Sequence, residues 1–178
     1  SKRVKNRFKW YSKACADYNN QWALTDDVLY KLCKKYPTHL KKTDIHAKLC
    51  LIGRSYSTGI ERQIKSRGGQ GSALAQLAAH LYNNRKKVDK MFKRLSFVSE
   101  PLTSDKLEVI IKAHGQFVNL LAKKLRKNRS ARSFASKYMH FHCPAVPIYD
   151  SIASSVLRGI CRWEDSFEIF SPPNGSDE

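Results

Sequence analysis

One run of residues sets the terms for the rest of the chain. Leu107, Ile110, Ile111, Phe117, Val118, Leu121 and Leu125, with His114 among them, recur on one face at helical spacing. Such a face must be buried against other elements, so the run predicts a long amphipathic helix inside a packed domain. It follows Pro101 and opens on Thr103-Ser104-Asp105, residue types that favour a helix start.

Shorter runs repeat the pattern. Val28, Leu29, Leu32, Cys33 and Tyr36 follow a capping Thr25-Asp26-Asp27 and stop at Pro37. Thr43-Asp44 opens a helix carrying Ile45, Leu49 and Ile52, with Gly53 at its expected end. After the flexible loop Gly68-Gly69-Gln70-Gly71, a helix from Ser72 carries Leu74, Leu77, Ala78 and Leu81. Val88, Met91, Phe92 and Leu95 continue or restart it. Arg126 to Arg132 is a basic break, Ser133 to Phe141 a short helix and Pro144 to Pro147 a turn. Ser151 to Cys161 reads as the last helix. No internal repeat and no hairpin pair is visible. The expected class is all-α, a compact bundle of about eight helices.

At 178 residues, 42% of them hydrophobic, the chain suits one compact domain with a real core. That domain is expected over residues 1–170, followed by a loose acidic tail over 171–178. No apolar run reaches the length of a membrane span, and none follows the basic Ser1–Lys9 as a secretory signal requires. Cys15, Cys33, Cys50, Cys143 and Cys161 are scattered singly. That argues against a disulfide framework and a zinc knuckle, and for buried thiols in a reducing compartment. The expectation is a cytoplasmic monomer, nucleoid-associated in a bacterium, with no membrane partner, metal or cofactor.

Charge points to a partner. Lys and Arg number 33 against 15 Asp and Glu, a formal net charge of +18. Nucleic acid is the commonest partner for such an excess, with solubility alone as the other reading. The clusters "SKRVKNRFK", "NNRKKVDKMFKR" and "AKKLRKNRSAR" suit phosphate contacts, which give affinity without sequence information.

One acidic residue stands out against this background. Asp150 sits between the apolar, proline-bounded "HCPAVPIY" and the amphipathic "SIASSVLRG". It is either a helix cap or a carboxylate that does chemistry.

The stretch "AVPIYDSIASSVLRG" resembles the catalytic segment of helix–hairpin–helix DNA glycosylases, the superfamily of endonuclease III, adenine DNA glycosylase and oxoguanine glycosylase. There a proline-containing run leads into an aspartate that begins a helix, and a later Val or Leu anchors that helix. Val156 and Leu157 match the anchor, and Asp150 falls on the catalytic position. Upstream, "LCLIGRSYSTGIERQI" resembles the helix, small-polar turn and helix that deliver a side chain into the gap left by a flipped nucleotide. That match puts Tyr56 in the gap, with Arg54 and Ser57 beside it against DNA. The other reading of Tyr56 is a helix-end tyrosine.

Three departures qualify the resemblance. "RKNRSARSFA" lacks the glycines of the DNA-binding hairpin, so Lys127, Arg129 and Arg132 stand in for its backbone amides. The Schiff-base lysine of bifunctional members falls on Arg132, which implies a monofunctional enzyme; Lys137, in the same segment, is the alternative amine. The four-cysteine iron–sulfur motif is missing. The chain also resembles a group of bacterial proteins sharing "IGRSY…GIER" and "SKYMHFH…PIYDS", which implies a role against modified phage DNA.

What the resemblance implies is base excision from double-stranded, damaged or modified DNA. A carboxylate at Asp150 stabilises positive charge on the sugar as the base leaves, and orients or deprotonates the attacking water. Base flipping costs a few kcal/mol, which an inserted aromatic partly recovers. The base pocket is expected from Tyr138, His140, His142 and Tyr149, with Glu61. On a helix Lys137 and His140 lie near one face, Tyr138 and His142 near another. Either histidine alone also reads as a core residue fastening the turn, and Glu61 with Arg62 as a surface pair. The alternative function is a non-catalytic nucleic-acid-binding protein that kept the fold. A nuclease is disfavoured, because no clustered carboxylates suggest a two-metal site.

Binding to undamaged duplex should fall steeply with salt. Charge reversal at Lys127 and Arg129 should flatten the slope of affinity against salt, read by fluorescence anisotropy. An unchanged slope would show that this cluster does not touch phosphate.

Overall fold

The computed structural model describes residues 12–13, 16–17, 19, 22–65, 71–127, 130–150, 154–155 and 158–159. Among these residues there are seven helices and no strand. They are α1 (Ala23–Lys35), α2 (Lys42–Ser55), α3 (Ile60–Gln63), α4 (Ala73–Asn83), α5 (Arg85–Leu95), α6 (Ser104–Ala122) and α7 (Arg132–His142). An isolated antiparallel bridge joins Ile64 to Leu125. The predicted final helix lies mostly outside the described residues, as do Arg129, Cys15, Cys161, the anchors Val156 and Leu157, and the 171–178 tail. Of the other cysteines, Cys33 and Cys143 are buried and Cys50 half-buried, all as free thiols.

α7 lies at the centre, packed against α1, α2 and α6. α2 packs on α4, and α5 on α6. Most of each predicted face lines the shared core: Leu29 and Cys33 from α1, Ile45, Leu49 and Ile52 from α2, Leu74, Leu77 and Leu81 from α4, Ile110, Phe117 and Leu121 from α6. Val28 of α1 and Leu107 and Ile111 of α6, predicted on the same faces, are exposed instead, because they sit at the edge of each stripe away from the packed neighbours. Full burial of a Leu, Ile or Phe side chain contributes about 1.5–3 kcal/mol.

Several boundaries differ from the sequence reading. α1 starts at Ala23, before the predicted cap, and its N-cap residue Trp22 makes no side-chain cap bond. Asp26 lies inside the first turn, buried, and accepts a hydrogen bond from the Tyr56 hydroxyl at 2.7 Å. A tertiary contact has claimed the side chain read as a cap. α2 runs through Gly53 to Ser55. Gly53 serves close packing: a Cβ there would stand 3.0 Å from Ile60 Cγ2. Ser72 caps α4 as expected, accepting from the Ala75 N–H at 3.2 Å. Asn84 separates α4 from α5, so the pattern restarts rather than continues. α6 stops at Ala122, and Leu125 is used in the bridge to Ile64.

A polar network runs through the core. His39 is fully buried. Its Nδ1–H and its backbone N–H both donate to Asp89 Oδ1, at 2.7 and 3.1 Å. Its Nε2 lies 2.9 Å from the Tyr138 hydroxyl and so accepts that proton. Lys48, equally buried, donates to the carbonyls of Tyr36 (2.9 Å) and Thr38 (3.3 Å) and to His142 Nε2 (3.3 Å). Its three donors meet three acceptors, which offsets part of the cost of burying a cation. Burial still lowers the Lys48 pKa to about 8. Burial likewise drives His142 well below the ordinary histidine value and lowers His39.

Both histidines are therefore neutral when folded and take up protons more readily when unfolded. Their contribution to stability is complete above the unfolded histidine pKa, about 6.5, and is lost as pH falls below it. The urea midpoint should drop between about pH 7 and pH 5. An equal midpoint at the two pH values would show that the folded histidines take up protons as readily as the unfolded ones.

Candidate active site

The site is built from α7 and the chain that folds back along it. Ser136 makes that return possible. Its Oγ accepts the Tyr149 N–H at 3.0 Å, and its proton faces the carbonyls of Tyr149 and Ser133, each at 3.0 Å. His140 holds the turn between. Its Nδ1–H donates to the Val146 carbonyl at 2.7 Å, and its Nε2 accepts from the Tyr30 hydroxyl at 2.5 Å. Burial, then the nearby Asp26, raise the Tyr30 pKa, so that hydroxyl keeps the proton it donates.

These two pins deliver Asp150 to Lys137. The Lys137 amine lies 3.4 Å from Asp150 Oδ2 and donates to Ser133 Oγ at 2.8 Å. The lysine side chain is 4% exposed and the aspartate side chain 33%. An open carboxylate thus sits against a nearly closed-off amine. The Asp150 carbonyl accepts the Ser154 N–H at 2.9 Å.

Aromatic rings wall one side. The Lys137 amine lies 5.5 Å from the Tyr56 ring centre, within reach of a cation–π contact. Tyr56 packs near Phe141 at 5.6 Å and the more exposed Trp22 at 6.1 Å. Tyr56 is the C-cap residue of α2, half-buried and anchored through its hydroxyl. Ser57, with φ +47°, is the exposed tip of that turn. The turn points its serine outward and its tyrosine toward the Lys137–Asp150 pair.

Other expected residues lie elsewhere. Tyr138 and His142 face the core network rather than an open pocket, because α7 turns that side toward His39, Lys48 and Phe92. His140 fastens the turn. Glu61 pairs with Arg54 on the surface at 2.9 Å. Lys127 is exposed. Arg132 is exposed at the start of α7, with its carbonyl accepting from His114 Nε2 at 3.0 Å. Arg132 and Tyr149 line an apolar cavity of about 420 Å³ with Leu107, Ile110, His114 and Pro147. Among the described residues no group of three His, Cys, Asp or Glu comes together to hold a metal ion, and no helix is long and apolar enough to cross a membrane.

Sequence reasoning missed Trp22, Asp26, Ser133 and Ser136. Ser133 and Lys137 carry a legible signal, since residues four apart share a helix face. Trp22 and Asp26 carry none, because nothing local tells that α1 crosses the α2 turn.

A family model described as HI_0787_N, N-terminal domain, matches residues 9–146. The chain belongs to that family. The HI_0787_N match takes in Tyr56, Ser133, Ser136, Lys137 and His140, and ends at Val146, whose carbonyl His140 holds. Asp150 lies just beyond it. No curated protein and no solved structure matches the chain.

Proposed function

We propose that this domain is a DNA glycosylase that extrudes a damaged or modified base and breaks its N-glycosidic bond. The pairing of Lys137 with Asp150 carries the proposal. The two residues come from different segments and meet at 3.4 Å beside the half-buried Tyr56 ring, in a chain of net charge +18. A buried cation with a single half-open carboxylate is a costly arrangement for stability alone.

Each group has a task. The Asp150 carboxylate stabilises positive charge developing on the sugar as the base departs. Trp22 and Tyr56 offer ring faces to an extruded base. Lys137 supplies the nucleophile. Its nitrogen, once it has passed a proton through Asp150 to solvent and left that carboxylate ionised, bonds to C1′ while the C1′–base bond breaks and the base leaves with the electron pair. The nitrogen then loses a proton, C1′–O4′ opens, O4′ gains a proton and an iminium remains.

This route differs from the monofunctional expectation, which rested on Arg132 filling the lysine position. Arg132 is exposed on the first turn of α7, whereas Lys137 is the cation beside the carboxylate. A guanidinium stays protonated and is a poor nucleophile; an amine is not so limited.

Screening duplexes that carry different damaged or modified bases identifies the substrate. With it, Asp150→Asn should slow base release by at least about 100-fold while duplex affinity changes little. Equal rates in the two proteins would remove Asp150 from the mechanism. Borohydride should trap a covalent protein–DNA adduct that Lys137→Gln abolishes. An intact abasic product without any adduct would return the reaction to water activated by Asp150.

A further inference from the structure

The motif "STGIERQ" has a part that the catalytic pair does not use. Ser57, Thr58, Gly59, Arg62, Gln63 and Arg126 enclose a cleft of about 410 Å³ on the outer side of the Tyr56 turn. The cleft joins two segments distant in sequence. The Arg126 N–H donates to the Gln63 carbonyl at 2.7 Å, and the Lys65 N–H to the Lys124 carbonyl at 2.8 Å. This clamp, around the Ile64–Leu125 bridge, sets Arg126 beside Gln63.

Charge in the cleft is one-sided. Among the described residues neither Arg62 nor Arg126 forms an ion pair, while the neighbouring Glu61 is taken by Arg54. Gly59 brings the Arg62 guanidinium against the backbone. It has φ +63°, and a Cβ there would meet Arg62 Nη2 at 3.3 Å. The hydroxyls of Ser57 and Thr58 add donors to the same wall. Gln63 supplies an independent sign of a ligand. Its Nε2 donates to the Thr58 carbonyl at 3.3 Å, but its Oε1 is buried and accepts no hydrogen bond among the described residues. Such an atom costs stability unless a donor comes to it.

We propose that this cleft holds one phosphodiester group of a DNA strand, gripped by the Arg62 and Arg126 guanidiniums and the Ser57 and Thr58 hydroxyls. A water donating one proton to Gln63 Oε1 and the other to a phosphate oxygen completes the set. Planar guanidiniums suit a tetrahedral phosphate, and two of them exceed the single charge of a diester. The proposal rests on the glycosylase reading for its placement. Tyr56 faces the Lys137–Asp150 pair and Ser57 faces the cleft, so one turn positions a strand phosphate beside the nucleotide being acted upon.

The test measures duplex affinity against salt for the wild type, Arg62→Gln, Arg126→Gln and the double variant. Both arginines are exposed, so folding should survive, as thermal melts verify. Each single change should weaken binding about tenfold and reduce the salt slope by about one, the effect of one phosphate contact. The double variant should lose little more, because both residues hold the same group. Gly59→Ala keeps every charge yet displaces Arg62, and should weaken binding too. Losses that simply add in the double variant, with Gly59→Ala binding like wild type, would show scattered surface charges and overturn the proposal. Arginine side-chain NMR signals that respond to inorganic phosphate but not to duplex would assign the cleft to a free anion and also overturn it. A wild type that shows the expected slopes yet releases no base supports the cleft and refutes the glycosylase reading alone.

Discussion

The burial of α7 governs this structure. Phe134 through Met139 are all buried, although the sequence there includes Ser136, Lys137 and Tyr138. A helix enclosed on nearly every side must find a protein partner for each polar group, since water cannot supply one. α7 meets that demand by recruiting its surroundings. Tyr138 binds His39, which draws in Asp89 of α5; His142 accepts from Lys48 of α2; His140 accepts from Tyr30 of α1. The helix order around the core follows from these pairings as much as from apolar packing. A hydrogen bond adds only about 1 kcal/mol net, but leaving one buried partner unmet costs about 1–3 kcal/mol. The network therefore specifies one arrangement more than it strengthens it.

The candidate site is the outer edge of the same device. Ser136 and His140 treat the chain after α7 as a further partner and fold it back, so Asp150 arrives at Lys137. On the inner face, side chains of α7 are fully matched and closed. On the outer face Lys137 meets a carboxylate that is still one-third exposed. That difference separates a structural polar pair from one that can engage a substrate. The Tyr56 turn shares the division, with its ring over the lysine and its serine toward the arginine cleft.

The sequence showed the helical faces well. Period and burial agree in α2, α4 and α5 because each presents one apolar stripe to a common core, whereas in α6 Leu107 and Ile111 of the predicted face stay exposed. It was less informative at helix ends. Asp26 has the residue type of a cap but binds Tyr56, a partner thirty residues away. Gly53 has the residue type of a stop but lies inside α2, where a Cβ would stand only 3.0 Å from Ile60 Cγ2. In both places a tertiary contact outweighs a local preference worth about 1 kcal/mol.

By itself, the sequence determined an all-helical domain, its main apolar faces, its positive charge and the candidacy of Asp150 and Lys137. Those properties depend on residue type and local spacing. Only the tertiary structure decided which side of α7 faces inward, which sends Tyr138 and His142 to the core and Lys137 to Asp150. Helical spacing groups residues on a face, but it does not say what that face meets. That is settled when α1, α2, α5 and the returning chain satisfy the buried polar groups together, a condition no short stretch of sequence contains.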